Sequence, residues 1–335
     1  MKLSHTELQE LVLGAARAER EAGGTVFYRF TEREEEVYRQ VNSSQHLRTQ
    51  SSSGIRLELE TDSRTLTLAV SLSEGSSRFF YSFDLFVDGH LTDTLSNFDP
   101  AALPKNYATE KLSLADAEKT FSLGEGTKQV CLYLPFSVKT VIRELSLDDG
   151  ATVRPIKPSR RLLCYGDSIT QGFDVLYPSN KYTTRLARYL GAEELNKGIG
   201  GAVFHPPIID AAEELRADLI TVAYGSNDWN RLSEAEFTER CDGFLSALRA
   251  RYAEPEILVI TPIWRKDADE GRPMGPFSRA GEIIAACAAR HRDMRVIDGT
   301  DLVTHDESLF GDGRLHPNDE GFAEYFENLV KKAAL

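Results

Sequence analysis

The spacing of apolar residues changes twice along the chain, and each of the three regimes predicts a different kind of structure. Near the start, Leu8, Leu11, Val12 and Ala15 recur at three- and four-residue steps behind Ser4-x-x-Glu7, and Gly23-Gly24 follows. A capping box before an apolar stripe predicts one helix over 1–23. From 24 to 153 the period falls to two. Ile55/Leu57/Leu59, Leu66/Leu68/Val70, Phe83/Leu85/Val87 and Val130/Leu132/Leu134 alternate with more polar neighbours, and turn signals such as Asp88-Gly89 and Gly124-Glu125-Gly126 separate such runs. Short strands of this kind predict a β-sandwich or jelly roll, with the Ser-, Gln- and Asn-rich stretch Val41 to Gly54 as loop.

The pattern changes again around Asp148 to Arg161, where Asp149-Gly150, Pro155 and Pro158 stand among basic residues. A domain boundary is placed there. Beyond it, strand-like runs near 161–165, 193–197, 218–224, 256–262 and 294–298 alternate with helix-like runs near 178–190, 206–216, 233–252, 276–291 and 318–333. Five strands with helices between them predict an α/β domain over 160–335, with a parallel five-stranded sheet between two helical layers.

Composition adds exclusions. At 335 residues, 41% of them hydrophobic, the chain is long enough for the two cores that this pattern requires. A formal net charge of −13 argues against nucleic acid or an anionic membrane as the main partner and fits a neutral substrate. No run approaches the roughly 20 apolar residues of a membrane span. Met1-Lys2-Leu3-Ser4-His5 leads into a charged stretch instead of a signal core, so a cytoplasmic location is expected. Cys131, Cys164, Cys241 and Cys287 lie far apart inside apolar patterns, which predicts buried free thiols over a disulfide or zinc site. A homo-oligomer is left open.

Candidate chemistry gathers where the strands end. Ser168 follows the first strand of the α/β domain, Gly198-Ile199-Gly200-Gly201 the second and Gly225-Ser226-Asn227-Asp228 the third, while Asp312-Gly313-Arg314-Leu315-His316-Pro317 lies between the fifth strand and the last helix. Ligands of parallel sheets sit outside the carboxyl ends of strands, so one edge can collect all four. Acyl transfer needs a nucleophile, a base and donors for an oxyanion. Ser168 supplies the hydroxyl and His316 the base. The backbone N–H groups of Ser168 and Gly201 and the Asn227 side chain supply the donors.

These blocks, Gly166-Asp167-Ser168-Ile169-Thr170-Gln171-Gly172, Asn196-x-Gly198-Ile199-x-Gly201, Gly225-x-Asn227-Asp228 and His316-Pro317, resemble those of the SGNH, or GDSL-type, hydrolases, in that family's order and over residues 160 to 333. The resemblance implies a flavodoxin-like SGNH hydrolase domain that hydrolyses an ester, most often an acetyl ester, without a metal or other cofactor. It assigns the nucleophile to Ser168, the base to His316 and the oxyanion donors to Gly201 and Asn227. The family usually places an Asp three residues before the His, but here position 313 is Gly and Asp312 stands four before. Asp312 completes the triad through a bulged turn, or a Ser–His dyad operates. Gly200 is the alternative oxyanion glycine. A β domain before such a domain resembles the two-domain carbohydrate esterases that remove acetyl groups, including members without the triad Asp.

Each candidate has a plainer reading. A Ser after a strand is commonly a helix cap, and only the co-ordered motifs outweigh that. The Gly198 to Gly201 turn lacks the dinucleotide and P-loop spacings, and Thr170 rules out G-x-S-x-G. Trp229 and Trp264, just past the third and fourth strands, are either platforms for a sugar ring or core packing. Asp167 and Asp228 brace their loops. His205 and His305 are surface or capping residues, and Glu32-Arg33-Glu34-Glu35-Glu36 is a solvated face. The expected function is a serine esterase acting on short acyl esters, chiefly O-acetyl groups of oligosaccharides. The competing readings are a lipid-directed esterase or thioesterase on the same site and a non-catalytic glycan-binding protein.

Overall fold

The computed structural model describes residues 1–21, 23–213, 215–272 and 274–335, so single positions of the predicted helices 1–23 and 206–216, Ala22 and Glu214, lie outside the described residues. Two antiparallel sheets occupy the N-terminal part, and the alternation seen in the sequence sets their facing sides. In one sheet Arg56–Thr61 pairs with Lys128–Tyr133, which pairs with Ser82–Val87. In the other Thr65–Glu74 pairs with Val138–Leu147 and Ala117–Ser122. Leu57, Leu59, Phe83, Leu85, Val130 and Leu132 from the first meet Leu66, Leu68, Val70, Ile142 and Leu145 from the second in one buried core. Burial of alternate positions from both sheets is what makes the pair a sandwich.

The predicted helix over 1–23 is corrected. Its capping box is real, with Ser4 and Glu7 each bonded to the other's backbone N–H, but the helix spans only His5–Leu11. Val12 turns extended and pairs with Leu57, and Arg17–Glu21 forms a hairpin with Gly24–Tyr28. Sheet pairing with residues distant in sequence overrides the local helical pattern. The loop expected over Val41 to Gly54 is likewise part helix, Ser43–Thr49, whose N-terminus is capped by the Asn42 side chain through the Gln45 N–H. The acidic run is no solvated face either. It opens the helix Glu32–Val41, and Glu34 and Glu35 are buried.

The parallel sheet is built from Arg160–Gly166, Ala192–Gly198, Leu219–Ala223, Glu256–Ile260 and Met294–Ile297. The second of these strands lies at one edge, followed across the sheet by the first, third, fourth and fifth. This is the flavodoxin-like order. Glu234–Arg251 and Ser278–Ala288 cover one face through Phe237, Phe244, Leu248 and Ile284. Tyr182–Tyr189 and Asp319–Ala333 cover the other through Leu186, Phe322 and Leu329. No helix among the described residues is long and apolar enough to cross a membrane.

Buried charge joins the sandwich side to the parallel sheet. The fully buried Arg29 guanidinium donates to the carbonyls of Asn196 (2.9 Å), Gly198 (3.1 Å) and Arg48 (2.9 Å). It thereby fixes both the end of the second parallel strand and the helix that carries Arg48. Burial pulls its pKa down to about 10 against the pull of Tyr38 and the surrounding carboxylates. Lys197 and Glu34 form a second buried link at 2.8 Å. All four cysteines are free, three of them buried and Cys131 partly exposed.

Candidate active site

Ser168 opens a single-turn helix, Ser168–Gln171, immediately beyond the first parallel strand, where Asp167 caps the turn by accepting the Ile169 N–H at 3.0 Å. Its hydroxyl is nearly buried and lies 2.8 Å from His316 Nε2. On the other side of the ring, Nδ1 is 2.7 Å from Asp312 Oδ2. A carboxylate there keeps the proton on Nδ1, which leaves Nε2 as the acceptor facing the serine.

The four-residue spacing from Asp312 to His316 works through an Asx-type turn. Asp312 Oδ1 accepts the N–H groups of Arg314 (2.9 Å), Leu315 (2.8 Å) and His316 (3.1 Å). Gly313 at φ 64° supplies the left-handed residue on which this turn bends. Burial by itself would raise the Asp312 pKa, but the hydrogen bond and charge of His316 together with the Leu315 and His316 N–H groups outweigh it. The carboxyl is held well below its ordinary range.

A second carboxylate, absent from the sequence expectations, stands close by. Asp174 Oδ2 is 3.5 Å from His316 Nδ1, fully buried and paired with Arg78 from the N-terminal part of the chain (Nη2 to Oδ2, 3.1 Å). The Tyr107 hydroxyl donates to the Asp174 carbonyl. Burial raises the Asp174 pKa, and His316 and Arg78 oppose it. Asp174, Asp312 and His316 bring potential metal-ligand atoms within 4.8 Å of one another. Those atoms are engaged in the imidazole and guanidinium contacts just given.

The glycine turn separates the two oxyanion candidates. The Gly200 N–H donates to the Gln171 side chain at 2.8 Å, whereas the N–H groups of Gly201 and Ser168 donate to no acceptor among the described residues. Gly201 sits at φ 77°, a conformation that a residue with a Cβ adopts only with strain. The Asn227 amide is already used, donating to Ala202 O at 3.1 Å and Asp167 Oδ2 at 3.3 Å. It reaches an incoming oxyanion only by releasing one of them. Asp228 accepts the N–H groups of Phe204 (2.9 Å) and Gly225 (3.1 Å), the bracing expected of it. Burial pushes the Asp167 and Asp228 carboxyls up to about 6 and about 7, with the neighbouring N–H donors holding them lower than burial alone would.

Trp229 is corrected as a sugar platform. It is fully buried, its indole N–H donates to Gly275 O at 2.9 Å, and Phe277, Arg265 and Arg272 pack against it. Trp264 is half-buried, stacks on His305 at 5.3 Å between ring centres and lines a cavity of about 510 Å³ with Pro262 and Phe277. Its loop is tied to the His316 loop, since the Lys266 N–H donates to Arg314 O at 2.9 Å. His205 makes none of the site's hydrogen bonds described above. Sequence reasoning missed Asp174, Arg78 and Arg48. The first carries only a faint signal, being two residues past Gly172, and the other two carry none, because nothing local ties them to a serine far along the chain.

Residues 164–323 match the GDSL-like Lipase/Acylhydrolase family. No curated protein matches the chain. Among solved structures, a salicylyl-acyltransferase from a tetracycline biosynthetic pathway is similar with a TM-score of 0.77 at 20% identity, over 96% of this chain and 93% of that one. A putative GDSL-like lipase from Bacteroides ovatus gives 0.76 at 20% identity, over 100% and 98%. A family two carbohydrate esterase from Clostridium thermocellum, in complex with cellohexaose, gives 0.63 at 16% identity, over 96% and 99%. What is shared at these identities is the fold, and it extends across both parts of the chain.

Proposed function

We propose that this chain, a carboxylic ester hydrolase with a GDSL-like acylhydrolase domain at 164–323, is a serine esterase that removes short acyl groups, chiefly acetyl groups, from oligosaccharides. The observation that carries the reading is the continuous hydrogen-bonded series Ser168–His316–Asp312, with the backbone N–H groups of Ser168 and Gly201 donating to no acceptor among the described residues. Ser168 Oγ attacks the ester carbonyl as its proton passes to His316 Nε2. The oxyanion is received by the two N–H groups, and His316 returns the proton to the leaving alcohol. Water activated by the same nitrogen then releases the acid and frees the serine. Asp312 keeps the ring in the required tautomer and stabilises the imidazolium. Asn227 joins the oxyanion donors by giving up its bond to Asp167. Trp264, on the loop bonded to the His316 loop, is the remaining tryptophan candidate for stacking on a sugar.

Carbohydrate as the substrate class is supported by the likeness to a carbohydrate esterase bound to cellohexaose over nearly the full length of both chains. A second reading is supported by the likeness to a salicylyl-acyltransferase, because the same acyl-enzyme can pass its acyl group to a hydroxyl other than water. The test is hydrolysis of p-nitrophenyl esters from acetate to decanoate by the parent protein and Ser168→Ala, with acceptor alcohols added in parallel. Rapid acetate release that vanishes in the variant is the expected result. Rates rising with chain length would transfer the reading to lipids, and acylated acceptor in place of free acid would make the protein a transferase. No Ser168-dependent turnover on any ester would leave glycan binding as the better account.

A further inference from the structure

Three guanidinium groups, Arg48, Arg78 and Arg231, lie against Phe173 or the Gly200–Gly201 turn beside the candidate site, two of them from the N-terminal part of the chain. Phe173 joins two of them to the histidine, lying 5.5 Å from the His316 ring, 4.8 Å from the Arg78 guanidinium carbon and 5.9 Å from that of Arg48, while the third, Arg231, is held at the Gly201 carbonyl. Arg78 is neutralised by Asp174. Arg48 and Arg231 are not: among the described residues neither has a carboxylate within the 4.0 Å of an ion pair.

Their donors are also underused. Arg48 Nη1 donates to Ser44 Oγ at 2.7 Å, but its Nε is buried with no acceptor. Arg231 Nη1 donates to the Gly201 carbonyl at 2.7 Å. Both side chains close on the open side of the oxyanion glycine. A Cβ placed on Gly201 would lie 3.5 Å from Arg231 Nη2 and 3.8 Å from Arg48 Nη1, and one on Gly200 would lie 3.0 Å from Arg48 Nε. Burial together with the charges of Arg78 and Arg231 lowers the Arg48 pKa, as expected where positive charge is concentrated without a counterion.

We propose that Arg48 and Arg231 form an anion subsite beside the acyl-transfer centre, and that the sugar bearing the ester also carries a negatively charged oxygen group. This rests on the esterase reading, and it replaces the neutral substrate suggested by net charge. An acetyl group has no room for a charge, so the anion belongs to the alcohol part, as the carboxylate of a uronic acid or the phosphate of a sugar phosphate. Forked guanidinium donors suit both groups. Arg48, brought in by the N-terminal part of the chain, makes that part a contributor to specificity.

The experiment compares O-acetylated methyl glucuronoside, O-acetylated glucose 6-phosphate and O-acetylated methyl glucoside as substrates of the parent protein, Arg48→Gln, Arg231→Gln and Arg48→Lys. The parent is expected to favour one charged sugar by at least tenfold in kcat/KM, through KM, with the preference fading as salt is raised. Each Gln variant should lose most of that preference and Arg48→Lys only part of it. Which charged sugar is favoured identifies the anion. Equal kcat/KM for charged and neutral sugars, or a preference unchanged in both Gln variants, would overturn the subsite. Inhibition of the parent by free glucuronate or glucose 6-phosphate, set against glucose, decides the question even if the variants fail to fold. Ser168-dependent cleavage of p-nitrophenyl acetate is scored separately, so loss of the esterase reading and loss of the anion subsite give different results.

Discussion

Asp312 holds His316 with both carboxylate oxygens, Oδ2 on the ring at Nδ1 (2.7 Å) and Oδ1 on the backbone N–H of the same residue (3.1 Å). The side chain that fixes the tautomer also fixes the turn from which the imidazole projects. A three-residue spacing is therefore not needed for an Asp to serve the ring.

Asp312→Asn separates these two tasks. The amide oxygen can still accept the turn N–H groups, but its NH2 then faces Nδ1 and drives the ring proton to Nε2, the atom that accepts from Ser168 in the proposed mechanism. Turnover of p-nitrophenyl acetate is expected to fall by about 10²- to 10⁴-fold with little change in thermal stability. A rate within threefold of the parent would mean that a Ser168–His316 dyad suffices.

Trp229→Ala should act on stability and not on substrate affinity. Emptying a fully buried indole site costs about 3–5 kcal/mol. Urea denaturation of Trp229→Ala reads that loss, while KM for an acetylated oligosaccharide, measured on the milder Trp229→Phe, should stay within twofold. A large rise in KM with unchanged stability would return Trp229 to the binding surface.

Glu34→Gln leaves the Lys197 ammonium buried without its counter-charge, although the amide can still accept the Thr31 N–H that caps the helix. Breaking a buried pair from one side typically costs about 3–5 kcal/mol, because the remaining ion is stranded. Pairing Glu34→Gln with Lys197→Met should recover more than half of the loss in denaturation midpoint. If the double variant is no more stable than the single one, the pair is not what links these segments.

Asp228 gives a pH dependence of definite sign. Its folded pKa of about 7 lies above the ordinary 3.8, so the folded protein retains a proton that the unfolded chain releases. Its contribution to stability is complete below about pH 4 and is lost as pH rises through about 7, each pH step of one across that window removing up to about 1.4 kcal/mol. Against the parent, Asp228→Asn should therefore gain stability between pH 4 and pH 7 in denaturation midpoints. Parallel curves for the two proteins would show that burial does not hold the proton there.

The sequence by itself determined the local elements and the blocks that carry the candidate site residues. The positions of the five parallel strands, the alternation of the sandwich strands and the capping box at Ser4 all depend on neighbours a few residues apart, and so does the Asp312-Gly313 turn. Each is legible in a short window because hydrogen bonding and side-chain period are local there. Whether Asp312 reached His316, and whether Gly200 or Gly201 kept a free N–H, depended on backbone geometry that spacing cannot specify.

Only the tertiary structure decided which charges and rings were buried and which residues from the first half of the chain reached the serine. Val12 paired with Leu57 where a longer helix was expected, Glu34 met Lys197, Trp229 was enclosed by Phe277 and two arginines, and Arg29 carried Arg48 toward Gly201. These contacts join residues far apart in sequence, and a surface charge and a paired buried charge read alike in a linear pattern. The difference is set by desolvation and by the partner that offsets it, and both exist only once the chain has closed on itself.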